Sequence, residues 1–279
     1  GYTLEGQRYP AQFAVVAYGK LGGQELGYGS DLDLVFLYAD RGDETHTDRG
    51  AENAVFYARL VQRMLHLFTT PTAAGALYPV DTRLRPDGRA GLMVSHWRAF
   101  ADYQRHHAWV WEHQALVRAR FVAGDAELGA QFAALRAEIL TQPRDPIALQ
   151  TQVVQMRQRM RTELAKSQSP DAPDVRFDLK QGLGGIADIE FMVQYSVLRW
   201  AHLNPALVQA TANRPLLAQL GQLALWPVTH AEAMRSAYVW LRVAVHRAAL
   251  QEQPAWVLAE DYAELRAEVQ AAWNALFTA

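Results

Sequence analysis

The chain has 279 residues, half of them apolar, with 27 Lys and Arg against 29 Asp and Glu for a formal net charge of -2. That balance lacks the basic excess of a general nucleic-acid binder, and the absence of cysteine excludes disulfides, thiolate metal sites and a cysteine nucleophile. No apolar run approaches the roughly 20 residues that span a bilayer, so neither nucleic acid nor membrane is an expected partner. The N-terminus shows no basic, apolar, small-residue succession of a secretory signal, and a cytoplasmic protein fits a chain without cysteine. Opening on Gly1 rather than Met, the chain is expected to be a piece of something longer.

Residues 13–17 (FAVVA) and 32–38 (LDLVFLY) are short apolar runs rich in Val and aromatics and predict buried strands. Between them Gly19 to Ser30 holds five glycines and predicts a turn with at most a short helix inside it. Residues 51–68 predict a helix, with Val55, Leu60, Met64 and Leu67 near three-to-four spacing. Residues 76–81 and 92–95 predict two more strands, and Ser95 is placed to cap a helix starting at His96. From there helical periodicity runs through 96–106, 108–122, 126–140, 147–167, 185–202, 214–224, 229–252 and 260–277, punctuated by prolines. The polar, proline-rich 167–175 reads as a loop. A boundary near 140–146 divides a mixed α/β part, 1–142, from a helical part, 143–279.

The sharpest feature is Ser30-Asp31-Leu32-Asp33-Leu34. Two aspartates at i and i+2 on a strand share a face, while Leu32 and Leu34 turn the other way into the core. Like charges side by side on a mostly buried strand repel, and a divalent cation relieves them. Asp81 ends a second predicted strand; if the strands pair, it sits beside Asp33, and three carboxylates on adjacent strands can hold two Mg²⁺ ions. The alternative is Ser30 and Asp31 capping a turn, with Asp33 on an exposed edge. Gly19, Lys20, Gly22 and Gly23 form a cradle in which backbone N–H groups approach a phosphate unobstructed. A phosphate cradle opposite a two-metal site is what nucleotidyl transfer from ATP needs. No Gly-Lys-Ser/Thr occurs, so this is not a Walker A loop.

Tyr18-Gly19-Lys20, Asp31, Asp33 and Asp81 resemble the signature of the polymerase-β-like nucleotidyltransferase superfamily, with Lys20 departing from its usual Gly or Ser. Phe13 to Tyr38, Val80 to Pro86, Trp111 to Arg120 and Gly184 to Phe191 narrow the resemblance to the glutamine synthetase adenylyltransferase family over roughly residues 10–275. The resemblance implies an α+β fold: a mixed-sheet nucleotidyltransferase domain followed by an all-helical domain. It implies transfer of AMP from ATP to a tyrosine hydroxyl of glutamine synthetase, with release of pyrophosphate. The implied partners are glutamine synthetase, a PII signal protein and the rest of a longer chain. Leu26 to Asp33, Asp81-Thr82-Arg83 and Asp188-Ile189-Glu190 look like its C-terminal, adenylylating half, whereas Gln181-Gly182-Leu183 lies at a spot that varies between the halves. Two readings compete: the deadenylylating half, and a regulatory module that only binds ligands.

Arg83 and Arg85 follow Asp81 at alternate positions and suit either the triphosphate or a structural ion pair. Arg118 and Arg120, placed on one helix, cannot share a face, so at most one of them is a phosphate ligand. Trp111 reads as core rather than as a base platform. Lys180, in the glycine-rich opening of the helix from 186, either reaches a phosphate or merely starts that helix. That helix is expected to bury Ile186, Ile189, Val193, Val197 and Trp200. Asp188 and Glu190 read as structural partners of nearby Arg, and His106, His107 and His113 as surface or packing residues without metal spacing.

Overall fold

The structure is a computed structural model and describes residues 2–4, 7–9, 12–40, 52–73, 75, 78–166 and 176–278. It divides into two compact units, residues 1–140 and 141–279. The proline-rich 167–175 lies outside the described residues, as do 76 and 77 of the strand predicted over 76–81.

The first unit opens on a small ribbon of β1 (Tyr2–Leu4) and β2 (Gln7–Tyr9). Strand β3 (Phe13–Ala17), the one-turn α1 (Gly19–Gly22) and β4 (Leu32–Tyr38) then form an antiparallel pair around the glycine-rich turn. Helix α2 (Asn53–Thr69) leads to the short β5 (Val80–Asp81) and, past a 3₁₀ turn at Gly88–Ala90, to β6 (Ser95–His96). Helices α3 (Trp97–His106) and α4 (Val110–Val117), strand β7 (Arg120–Gly124) and α5 (Ala126–Leu140) complete the unit. The sheet order is β5-β4-β3-β7, and β6 shares β5's edge of β4. Both β5 and β6 run parallel to β4, at its first and last residues respectively.

One sheet face carries Phe13, Val15 and Ala17 of β3 against Leu34, Phe36 and Tyr38 of β4, and it is covered by Tyr57 and Val61 of α2. The seam of α2 is therefore Asn53, Tyr57 and Val61, spaced by four. Val55 and Leu67, expected on that seam, are 40% and 73% exposed. Leu60 and Met64 do pack against that core, so the expected face is met in the middle of the helix and missed at its two ends.

Three further local expectations change. Ser95 pairs with Leu37 in the sheet, and His96 is the helix cap, its Nδ1 accepting the Arg98 N–H at 3.2 Å. The predicted strand 92–95 shrinks to Ser95–His96. The predicted helix 108–122 stops at Val117, and residues 120–124 are a strand paired with β3. Arg136 of α5 caps α4 by donating to the Leu116 carbonyl at 3.0 Å and to that of Val117 at 2.5 Å. Burial lowers its guanidinium to about 10.

The second unit comprises α6 (Pro146–Lys166), α7 (Ile186–Trp200), α8 (Asn213–Gln222), α9 (Val228–Leu250) and α10 (Ala263–Phe277), with a small ribbon of β8 (Arg176–Asp178) and β9 (Trp256–Leu258). Helix α7 packs against α6, α8, α9 and α10. It is consequently buried nearly all round, with Phe191, Met192 and Tyr195 in the core besides the expected Ile189, Val193 and Val197, while the expected Ile186 and Trp200, at its ends, are half-buried. No described helix is long and apolar enough to cross a membrane.

Candidate active site

The pairing of β4 with β5 sets Asp33 opposite Asp81 in register. Asp31 lies one residue before β4 rather than on it, exposed, and Leu32 extends the ladder by donating to the Pro79 carbonyl at 2.8 Å. Alternation then turns Asp33 away from the Leu34 face. Burial, together with the neighbouring Asp81 and Asp31, pushes the Asp33 carboxyl up to about 6, against the pull of Lys20 and Arg118. Asp33 thus sits on the sheet with two like charges nearby.

The glycine-rich turn closes over this carboxylate. Gly19 has φ +54, and a Cβ there would collide with Asp33 Oδ2, so only glycine lets the turn lie on the acid. At Gly22 a Cβ would strike the carbonyl oxygens of Ala17 and Arg118, and at Gly23 it would come within 2.6 Å of the Arg118 guanidinium. Lys20 is half-buried, and its carbonyl accepts the Glu25 N–H at 2.8 Å. Ser30 is buried, its Oγ accepting the Gly27 N–H at 3.2 Å, which shapes the bend before Asp31.

Asp81 is engaged by Arg83, whose backbone N–H and Nε donate to Oδ1 at 2.8 and 3.0 Å and whose Nε reaches Oδ2 at 2.7 Å. Arg85 is buried and holds its own loop, donating to the Thr82 carbonyl and hydroxyl at 2.7 and 2.9 Å and to the Gly91 carbonyl at 3.2 Å. An open cavity of about 550 Å³ is lined by Asp31, Asp81, Thr82, Arg83 and Arg85. The structure therefore brings Asp31, Asp33, Asp81, Gly19, Lys20, Arg83 and Arg85 into one neighbourhood.

Lys180 belongs to the second unit, where it is exposed; its N–H and that of Gln181 donate to Asp178 Oδ1 at 2.8 and 3.0 Å. Asp188 is buried and fully engaged, by Arg157 Nε at 2.7 Å, Arg161 at 2.6 Å and the Gly184 N–H at 2.8 Å. Glu190 accepts from the Tyr238 hydroxyl at 3.2 Å. Trp111, expected in the core, is 38% exposed. His113 packs inside with Nε2 3.0 Å from the Gln104 carbonyl, and His106 pairs with Asp102 at 2.9 Å on the surface.

Arg118 and Arg120, expected on one helix with at most one of them at a phosphate, lie instead beyond the end of α4, with Arg120 opening β7. They flank the α4–β7 junction, and both meet the glycine-rich turn: Arg118 pairs with buried Glu25 at 2.5 Å, and Arg120 donates to the carbonyls of Leu21 and Gly22 at 3.0 and 3.3 Å. The usable signal was Phe121-Val122 before Gly124, a β-prone pair ahead of a chain break.

The acidic donor set is all carboxylate oxygen, which fits a hard dication such as Mg²⁺ and excludes a thiolate-loving one. Among the described residues no three His, Asp or Glu side chains close around a single point. Asp81 turns instead to Arg83, whose side chain is 62% exposed. A cation at Asp81 requires Arg83 to swing outward.

A mixed sheet with this glycine-rich turn and these strand-borne aspartates, followed by a helical unit, defines a nucleotidyltransferase domain with a helical companion. The family model of glutamate-ammonia ligase adenylyltransferase matches residues 2–135, and that of GlnD PII-uridylyltransferase matches residues 154–276. Over 266 residues the chain is 51% identical to the bifunctional glutamine synthetase adenylyltransferase/adenylyl-removing enzyme of Nitrosococcus oceani, covering 95% of this chain and 27% of that protein. The chain belongs to the glutamate-ammonia ligase adenylyltransferase family. It spans about 27% of the length of the curated relative it matches.

Proposed function

We propose that this chain is an adenylylating module: it transfers AMP from ATP to a tyrosine hydroxyl of glutamine synthetase and releases pyrophosphate. The observation that carries the reading is Asp33 in register with Asp81 on parallel strands, with Asp31 beside them and Gly19 lying on the Asp33 carboxylate. Asp31, Asp33 and Asp81 would hold two Mg²⁺ ions, which when bound screen the triphosphate and stabilise the charge that develops on the leaving pyrophosphate. Gly19, Lys20, Gly22, Gly23 and Ser30 form the proposed nucleotide cradle, with Lys20 as its cation. Arg83, once released from Asp81, faces the same cavity and suits a phosphate oxygen. Arg85 fixes the loop that carries Arg83. Tyrosine has a pKa near about 10, so its proton must leave during attack; Asp81, at the cavity wall, is the proposed acceptor.

Lys180 is proposed as a second phosphate ligand contributed by the helical unit, which would also position the protein substrate. A PII signal protein is proposed as a regulatory partner, supported by the family resemblance and by the second unit's match to a family named for PII. ATP as co-substrate and a chain without cysteine favour the cytoplasm.

The test is incubation of the chain with Mg²⁺, ATP labelled at the α-phosphate and unmodified glutamine synthetase. Label on glutamine synthetase is the expected result. Release of AMP or ADP from pre-adenylylated glutamine synthetase with phosphate, and no forward transfer, would replace this reading with the removing one. Nucleotide binding without either reaction would leave a ligand-sensing module.

A further inference from the structure

We propose that Arg118 is a positioning residue for the nucleotide cradle, a role that rests on the adenylylation reading above. In the turn from Gly19 to Gly27, Leu21 packs against the sheet core, while the four glycines contribute no side chain of their own. Beyond Ala17 and Asp33 beneath it, the turn is met by the junction between α4 and β7. The Arg118 guanidinium lies directly under Gly23, with NH2 and Nε 2.6 and 2.7 Å from where a Cβ would stand. Glu25, at the far end of the turn, clamps the same guanidinium at 2.5 Å, and the side chains are only 4% and 7% exposed. The Arg118 carbonyl presses on Gly22, and Arg120 holds the carbonyls of Leu21 and Gly22. These contacts from Arg118 and Arg120 together set the height of the turn over Asp33, and the Arg118 charge is felt at that carboxylate.

A buried Arg–Glu pair is weak evidence for stability, because desolvation offsets much of the attraction. Its planar fork, however, fixes orientation in a way a lysine ammonium does not. Arg118→Lys keeps the charge and loses the fork, so it separates orientation from electrostatics.

The experiment measures Mg²⁺-ATP affinity by calorimetry and amide hydrogen exchange by NMR on the 279-residue chain. The variants are Arg118→Lys and Glu25→Gln. Ile139→Ala, a core truncation in α5 where Ile139 is fully buried, serves as a destabilised control. Arg118→Lys and Glu25→Gln are expected to weaken Mg²⁺-ATP binding on the order of tenfold or more and to lose amide protection across residues 19–25 while α5 stays protected. Ile139→Ala is expected to leave affinity unchanged. If either single variant fails to fold, Arg118→Gln/Glu25→Gln, which leaves no unpaired buried charge but has no guanidinium fork, is read in its place and the same losses are expected. Wild-type affinity in folded Arg118→Lys, or an equal loss in Ile139→Ala, overturns the positioning role alone. Wild-type chain that does not bind Mg²⁺-ATP overturns the adenylylation reading and this role with it.

Discussion

Asp33 is held between burial on the sheet and two neighbouring carboxylates, and its carboxyl group titrates at about 6 in consequence. A folded-state pKa raised above the unfolded value means that the acid form stabilises the fold below about pH 4. That contribution is lost as pH rises through about 6. Without metal, Asp33→Asn should therefore melt higher than wild type at pH 8, by on the order of 1–2 kcal/mol, with the gap closing toward pH 4. Scanning calorimetry in a chelator at both pH values checks this, and identical curves would show that the charge is not resisted. The same variant, and Asp31→Asn, should abolish AMP transfer. Asp81→Asn should differ: Mg²⁺-ATP affinity largely kept, and single-turnover transfer cut on the order of a hundredfold or more. Equal losses of affinity and rate would assign Asp81 to ground-state binding. Asp188→Asn belongs to stability instead, because it weakens the partner of fully buried Arg157. A cost of about 3–5 kcal/mol is expected in urea unfolding of the second unit. The meeting of Asp33 with Asp81 was legible because strand alternation and the end of a strand place them without knowledge of the rest of the fold, whereas Asp31 lies just before β4 and not on it. The place of Arg118 was not legible, since its partner Glu25 is 93 residues away and nothing local encodes that meeting.

The glycine-rich turn was legible as an element, but its glycines do different things. Gly22 makes room for two carbonyl oxygens, whereas Gly29, at φ +64, faces open space. Gly22→Ala must move backbone and should cost several kcal/mol or abolish folding; Gly29→Ala should cost about 1 kcal/mol from its left-handed conformation alone. Denaturant midpoints for the two variants test the ordering, and a reversal would mean that the turn does not rest on Ala17 and Arg118. The α4–β7 segment shows why element boundaries were harder. Its apolar residues satisfy helical spacing through residue 122, yet β7 has a free edge of β3 to join, with Ala17 opposite Arg120 and Val16 opposite Phe121. Non-local pairing overrides the local period there. The same competition shortened the strand expected at 92–95, where only Ser95 and His96 find the edge of β4.

At the scale of the whole chain, two units of similar size meet at residues 140 and 141. The first contains every proposed metal ligand, and the second contributes Lys180. If the division of labour is right, a chain ending at Leu140 should still bind Mg²⁺-ATP while losing transfer to glutamine synthetase. Full transfer by that shorter chain would make the helical unit dispensable. The prolines at 143 and 146 are the local signal near this point: Pro146 opens α6 at its first position, where the missing N–H costs nothing. The central placement of α7 has no such signal, since burial on every side depends on four neighbours that its own sequence does not name.

The strand that completes the sheet beside β3 is β7, the last of the sheet to leave the ribosome. Until residues 118–124 emerge, β3 lacks its outer neighbour and the glycine-rich turn lacks its support. The proposed nucleotide pocket is therefore expected to mature late in synthesis, after its acidic residues have long been exposed to solvent. The helices that follow pair mainly with neighbours close in sequence, as α8 does with α9, and can form as they appear. Contacts of long sequence separation slow folding, so the catalytic unit, although made first, is the one expected to finish last.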